Sequence, residues 1–312
     1  MAGVHPATPR SAAQPALPAA PGTAVVAWPL PAPRPRLDPA VEPLDVAWDA
    51  EAGVLVADAV NGAVVGYDAA GARRHAWRFG DGADGTACGA LPVALAVDAR
   101  RERVFVLWHL PPPDGSRTVR AVLEERDPEG VAHRRVPIVA DDIAVDPDTG
   151  NLWAVDALGG RVTEWRMPDA VPARSIAIAR QPGAAASIAI TPARVAVVVN
   201  RAVELFERDG RRLGRPDLGG QPAHAVAADE AGRLWVLLRP GGAFTDTSTA
   251  PLIRRFGPVG TAIDAVPHAA LGAQPLPAAV GWPFALDAAG DAPVFTTGRE
   301  QGPFEVRWHA DL

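Results

Sequence analysis

Chemistry in this chain has to come from a small set of residues. Seven histidines (His5, His75, His109, His133, His224, His268 and His309) and one cysteine, Cys88, are its soft metal ligands and thiol. A catalytic zinc usually takes three protein ligands converging on one point and keeps a fourth position open. His224 stands just before one apolar run, His109 closes another and Asp141 precedes a third, so their spacing does not require them to meet. A hydrogen-bonded loop histidine is the simpler account of His224. The single cysteine permits neither an intrachain disulfide nor a thiolate cluster. Gly-rich phosphate loops, Gly-x-Ser-x-Gly elbows and paired zinc motifs are absent from the sequence. The expectation is a chain with no assigned catalytic residue, no metal and no cofactor.

The elements that must position these residues repeat. Six apolar runs close on an acid or threonine: Val46 to Asp49, Leu95 to Asp98, Ile143 to Asp146, Ile188 to Thr191, Val226 to Asp229 and Phe284 to Asp287. A second apolar run follows each after a short turn. Steps between the runs range from 38 residues (Ile188 to Val226) to 58 residues (Val226 to Phe284), enough for about four short strands per unit. The spacing predicts an all-β chain: a six-bladed β-propeller of four-stranded antiparallel blades. The last unit shows only three strand-like segments, around Phe284 to Asp287, Pro293 to Thr297 and Phe304 to His309. Its open edge predicts closure by an N-terminal strand, Thr23 to Trp28, placed outermost beside Phe304 to His309. The domain expectation is an Ala/Pro-rich flexible arm over 1–22 and a propeller over 23–312.

In such a ring the linkers between units and the loops between second and third strands share one face, where a ligand site would sit. The residues entering the inner strands there are Leu44 and Asp45, Val93 and Ala94, Asp141 and Asp142, Ala186 and Ser187, His224 and Ala225, Trp282 and Pro283. Most are apolar. The candidate ligand-binding residues at the channel mouth are therefore Asp45, His109, Asp141, Asp142 and His224. Asp49, Asp98, Asp146, Asp229 and Asp287 recur once per unit at the exit of the inner strand, which assigns them to turn structure, as it does Asp58 and Asp156 at the opposite turns. Trp48, Trp153, Trp165, Trp235 and Trp308 fall inside strands and are expected to fill the wedges between blades. Two long loops, Pro111 to Ser116 and Gly241 to Thr249, join second to third strands in opposite units and project from the candidate face.

Ile143-Ala144-Val145-Asp146, a turn with Gly150-Asn151 and a strand ending in Val155-Asp156 resemble the NHL-repeat propellers, as does Asp58-Ala59-Val60-Asn61 at the middle turn of the first unit. The resemblance spans residues 42 to 312 as a blade pattern and implies the six-bladed fold. Lactonases of the regucalcin and gluconolactonase type belong to the same broad superfamily and hold a divalent cation with oxygen ligands. Glu42 loosely resembles their first glutamate. Val93 and Ala186 stand where they carry asparagine, and His224 where they carry an acid, so their cation cage is not expected here.

All 30 basic residues are arginine, against 36 acids and a net charge of −6. An acidic chain lacks the broad positive field that phosphate backbones select, so nucleic acid is not an expected partner. The N-terminal stretch is broken by prolines and does not read as a secretory signal, and no apolar run reaches the roughly 18 residues of a membrane span. A cytoplasmic location with no membrane partner is the expectation. Together these readings point to a non-enzymatic protein-interaction or structural module, including a subunit of a larger phage-like assembly. It would contact protein partners through the arm or the face with the long loops. The alternative is a small-molecule-binding, hydrolase or lyase propeller with its site at the channel mouth.

Overall fold

A computed structural model describes residues 43–49, 53–68, 72–80, 89–112, 120–180, 186–238, 252–258, 260, 262–267, 286–289, 292–297 and 305–308. The first sheet contains β1 (Pro43–Asp49), β2 (Gly53–Asp58), β3 (Ala63–Tyr67) and β4 (Arg73–Arg78). The second contains β5 (Leu91–Asp98), β6 (Arg103–Leu110), β7 (Arg120–Arg126) and β8 (Ala132–Ile138). Next come β9 (Asp142–Val145), β10 (Leu152–Asp156), β11 (Arg161–Arg166) and β12 (Val171–Ala177), then β13 (Ser187–Ile190), β14 (Arg194–Val199), β15 (Ala202–Glu207) and β16 (Arg212–Gly214). The fifth sheet contains β17 (Ala223–Ala228), β18 (Leu234–Leu238), β19 (Leu252–Phe256) and β20 (Ala262–Pro267). β21 (Leu286–Ala289), β22 (Ala292–Thr297) and β23 (Glu305–Trp308) form the last. Every sheet is an antiparallel meander, and the first strands touch in sequence around a ring, with β21 lying against both β17 and β1.

The expectation of six four-stranded blades is corrected to five four-stranded sheets and one of three strands among the described residues. The shortfall is in the last sheet, where the sequence itself offers only three strand-like segments. Thr23 to Trp28, the segment expected to close it, lies outside the described residues, as do the 1–22 arm, Glu42, Cys88 and most of both long loops.

Second strands are buried on both faces because each sheet is packed between two others. Gly53–Asp58, Leu152–Asp156 and Leu234–Leu238 are buried throughout, so they read as continuous apolar runs instead of alternating ones. The core is accordingly distributed among the seams. Leu55, Ala57 and Val64 pack on Leu95, Val106 and Trp108, Phe105 and Leu107 on Ile143 and Leu152, and Trp153 and Val155 on Ile188 and Phe206. Trp108, Trp153 and Trp235 are fully buried, each burial worth roughly 1.5–3 kcal/mol. Trp108 joins the wedge-filling residues expected from sequence.

Outer strands obey a different rule. β4, β8 and β12 carry Arg73, Arg74, Arg134 and Arg135 together with Pro137 and Pro172, and most of their residues are exposed or half-buried. Charge and proline on an edge discourage pairing with another chain. One tight turn also fixes its residue: a Cβ on Gly53, at φ +86°, would lie 2.2 Å from the Tyr67 carbonyl oxygen.

Candidate functional site

The inner strands are sheet edges facing a central channel, so the channel-side N–H groups have no ladder partner. Side chains from the preceding sheet supply one. Asp45 Oδ2 accepts the Leu95 N–H at 2.7 Å, and Asp142 Oδ2 accepts the Ile188 N–H at 2.9 Å. Ser187 Oγ accepts the Val226 N–H at 3.2 Å. Counted back from the residue that closes the turn after each inner strand (Asp49, Asp146 and Thr191), all three stand at the fifth position and reach the fourth position of the next sheet.

Asp287 performs the same act two residues deeper. Counted the same way from the turn-closing residue, the third position is alanine in five sheets: Ala47 opposite Leu55, Ala96 opposite Phe105, Ala144 opposite Trp153, Ala189 opposite Ala196 and Ala227 opposite Trp235. In the last sheet it is Asp287, opposite Val294. Its Oδ2 accepts the Trp48 N–H at 2.7 Å and ties the last inner strand to the first. Asp287 is therefore a channel residue and not the turn acid that its place in the repeated word predicts.

The turn role holds for Asp146 and Asp229, whereas Asp98 caps no turn N–H and pairs with Arg101 and Arg103. Asp146 accepts the Asp148 N–H and the Thr149 hydroxyl, and Asp229 accepts the Arg233 N–H at 2.8 Å. Asp58 caps Val60 and Asn61, while Asp156 caps Gly159. Burial alone would raise the Asp146 carboxyl, but Arg208 and Thr149 hold it below the usual carboxylate range.

The channel encloses about 420 Å³. Asp45, Asp141, Asp142, Ser187 and His224 line one end and Asp287 lies within. Burial pushes Asp45 well above the usual range, Asp142 adding to the shift, while the Leu95 and Val46 amides oppose it. Burial also raises Asp142 to about 7, against the Ile188 and Ile143 amides and the Ser187 hydroxyl. Asp287 is raised to about 6 by burial, against the Trp48 and Ala288 amides. The one Lys or Arg among the lining residues is Arg100, in the turn after β5 at the opposite end, where it donates to the Pro147 carbonyl. At the mouth, Asp45, Asp141 and Asp142 are collected with no Lys or Arg beside them among the described lining residues, and His224 shares that end.

Four of the five sequence candidates, Asp45, Asp141, Asp142 and His224, meet at this mouth. Asp141 accepts the Ala157 N–H at 2.7 Å, fixing the linker against the β10–β11 turn. His109 pairs with Leu91 and Ala121 on the same face and does not line the channel. Among the described residues no group of three or more His, Cys, Asp or Glu is arranged to hold a metal ion.

A second feature shares that face. Leu44, Val60, Leu91, Val139 and Leu158, 39–68% exposed, all lie in inner-strand starts, linkers or second-to-third-strand turns of the first three sheets. Four of them fall in two neighbouring pairs: the turn at Gly62 sits against the Ala90 carbonyl beside Leu91, and the Asp141–Ala157 bond brings the turn carrying Leu158 to the linker carrying Val139. The exposed Val131 and Val171 lie at turns of the opposite face.

A ring of radial antiparallel meanders around a channel is a β-propeller. No protein-family model matches the sequence, and no curated protein matches it either. Solved structures carry the likeness. U3-55K matches with a TM-score of 0.55 at 11% identity, over 88% of this chain and 97% of that one. A protein of unknown function from Bacteroides caccae gives 0.54 at 11%, over 74% and 83%. Virginiamycin B lyase from Staphylococcus aureus gives 0.52 at 13%, over 86% and 84%. At these identities the likeness is one of fold. Among the described residues no helix is long and apolar enough to cross a membrane.

Proposed function

We propose that the chain is a non-enzymatic, NHL-like β-propeller that binds a protein partner on the face where its inner strands begin, as an interaction or structural module of the cytoplasm. One observation carries this reading: five large aliphatic side chains are exposed there in adjoining sheets. Apolar surface gathered on one face, with polar groups around it, is characteristic of interaction sites. The channel acids support it too, since Asp45, Asp142 and Asp287 are each committed to a backbone N–H of the next sheet. In the same proposal the three-stranded sheet is the sixth blade of a domain spanning 23–312 behind a 1–22 arm. Asp45, Asp141, Asp142 and His224 form the centre of the binding face, and His109 stands at its edge.

A photo-crosslinking residue at Val139 or Leu158 should capture a discrete partner in the cells that make this protein, while one at Val131 or Val171 should not. Equal capture from both faces, or none from Val139 and Leu158, overturns the proposal. A small-molecule reading draws on the 420 Å³ channel. It predicts a ligand that protects the channel acids from chemical modification without touching Leu158.

A further inference from the structure

Resting on that reading of the face, we infer that the partner presents a protein segment with one Lys or Arg side chain flanked by aliphatic residues, the cation entering the channel mouth while the flanks cover the exposed arc. Two independent features converge on this chemistry. Leu44 belongs to both: it is exposed on the face and lines the channel beside Asp45. From there Leu91 and Val60 lead to one side, and Val139 and Leu158 follow beyond the intervening sheet.

The opening within the arc gathers acids, with His224 the one titratable base among the described residues that line that end. Asp45, Asp141 and Asp142 stand at it, Asp287 lies deeper, and the lining cation Arg100 is at the far end, bound to Pro147. Each of these acids donates nothing when ionised and satisfies only one or two backbone N–H groups. A Lys or Arg side chain is slender enough to enter while its methylenes lie along Leu44 and Val93. Its charge then meets carboxylates partly removed from water, where attraction is stronger than at an open surface. An acidic segment would be repelled by the same groups. An all-apolar one would leave the carboxylates without compensation.

The raised carboxyls agree with this arrangement. A bound cation favours their ionised forms, so binding should release protons and strengthen as pH rises from about 5.5 to 8.

The test is a random twelve-residue peptide library displayed on phage and selected on the intact protein. Selected peptides should contain a Lys or Arg within an aliphatic stretch. Their affinity should fall at least tenfold when that residue becomes norleucine, and similarly on Asp141→Asn or Asp45→Asn, variants that keep the amide-accepting oxygen. Leu158→Glu with Val139→Glu should abolish binding, and thermal melts confirm that each variant is folded. Peptides that need the aliphatic arc but no basic residue overturn the cation inference and leave the interaction face standing. Peptides indifferent to both overturn the two together, and a selection that enriches no peptide dependent on Asp141 overturns the inference as well.

Discussion

Asp287 Oδ2 accepts the backbone N–H of Trp48 at 2.7 Å, and through this bond the last inner strand of the ring is fastened to the first. The two residues are 239 positions apart in the chain, so the contact closes almost the whole described length. An N–H left without a partner in that seam costs about 1–3 kcal/mol. Asp287→Ala should therefore lower the stability by that order, and Asp287→Asn, whose amide oxygen can still accept, should lower it much less. Chemical denaturation at pH 5, where Asp287 is largely protonated, measures both, and equal losses would show that the acceptor oxygen is not what holds the seam.

The repeat made the inner strands visible, because each is a short apolar word ending in a turn residue. It misplaced Asp287 by two positions. Phe284-Ala285-Leu286-Asp287 imitates the other words, but the chain turns later, and Ala289 pairs with Ala292. Gly290-Asp291 was the available signal: a two-residue turn there forces Asp287 opposite Val294. Asp45, Asp141, Asp142 and His224 were legible because they enter inner strands whose direction the meander fixes. The aliphatic arc was not, since exposure of Val60 or Leu158 depends on which turns stand clear of their neighbours, and a hydrophobic pattern does not encode that.

The pH dependence follows from the same acids. Asp142 at about 7 and Asp287 at about 6 lie above the ordinary carboxylate value, so the folded chain holds more protons than the unfolded one between roughly pH 4 and 7. Their contribution is full below about pH 4 and lost as pH rises through 6 to 7. The melting temperature should fall by several degrees between pH 5 and 8. Asp142→Asn combined with Asp287→Asn should flatten that slope, and an unchanged slope would remove these residues as its source.

A buried ion network supplies a third test. Glu124 accepts from Arg126 Nε at 2.8 Å, Arg135 Nε at 2.8 Å and Trp108 Nε1 at 2.9 Å. Arg126 continues to the Arg78 and Gly130 carbonyls, joining the first two sheets. Removing one partner of such a pair leaves an uncompensated charge and costs about 3–5 kcal/mol. Glu124→Leu, which strands the buried Arg126 guanidinium, should show that loss in urea denaturation, and Glu124→Leu with Arg126→Met should recover part of it.

Metal content discriminates the interaction module from a cation-dependent enzyme. Protein purified without chelator should contain well under one equivalent of zinc, calcium or manganese, since the channel acids accept backbone N–H groups and form no ligand triad among the described residues. One tightly held equivalent, lost on Asp142→Asn, would overturn this.

The last prediction concerns the open edge of the three-stranded sheet. β22 pairs with β23 from Val294 opposite Trp308 to Thr297 opposite Glu305, leaving the outer side of β23 without a partner among the described strands. An unpaired edge exposes a row of N–H and C=O groups, which proteins cover or blunt. Like most of the other outer strands β23 carries an arginine, in a short Glu-Val-Arg-Trp segment, but it is only the third strand of its sheet. Thr23-Ala24-Val25-Val26-Ala27-Trp28 is the one β-like run ahead of β1, which fits the proposal that it adds the fourth strand. Burying Val26 and Trp28 would contribute roughly 1.5–3 kcal/mol each, a large share of a typical stability of about 5–15 kcal/mol. Deletion of residues 1–21 should leave the melting temperature nearly unchanged, and deletion of residues 1–31 should lower it steeply or cause aggregation. Should the two truncated chains melt together, the edge is covered by something else and the sixth blade is not completed from the N-terminus.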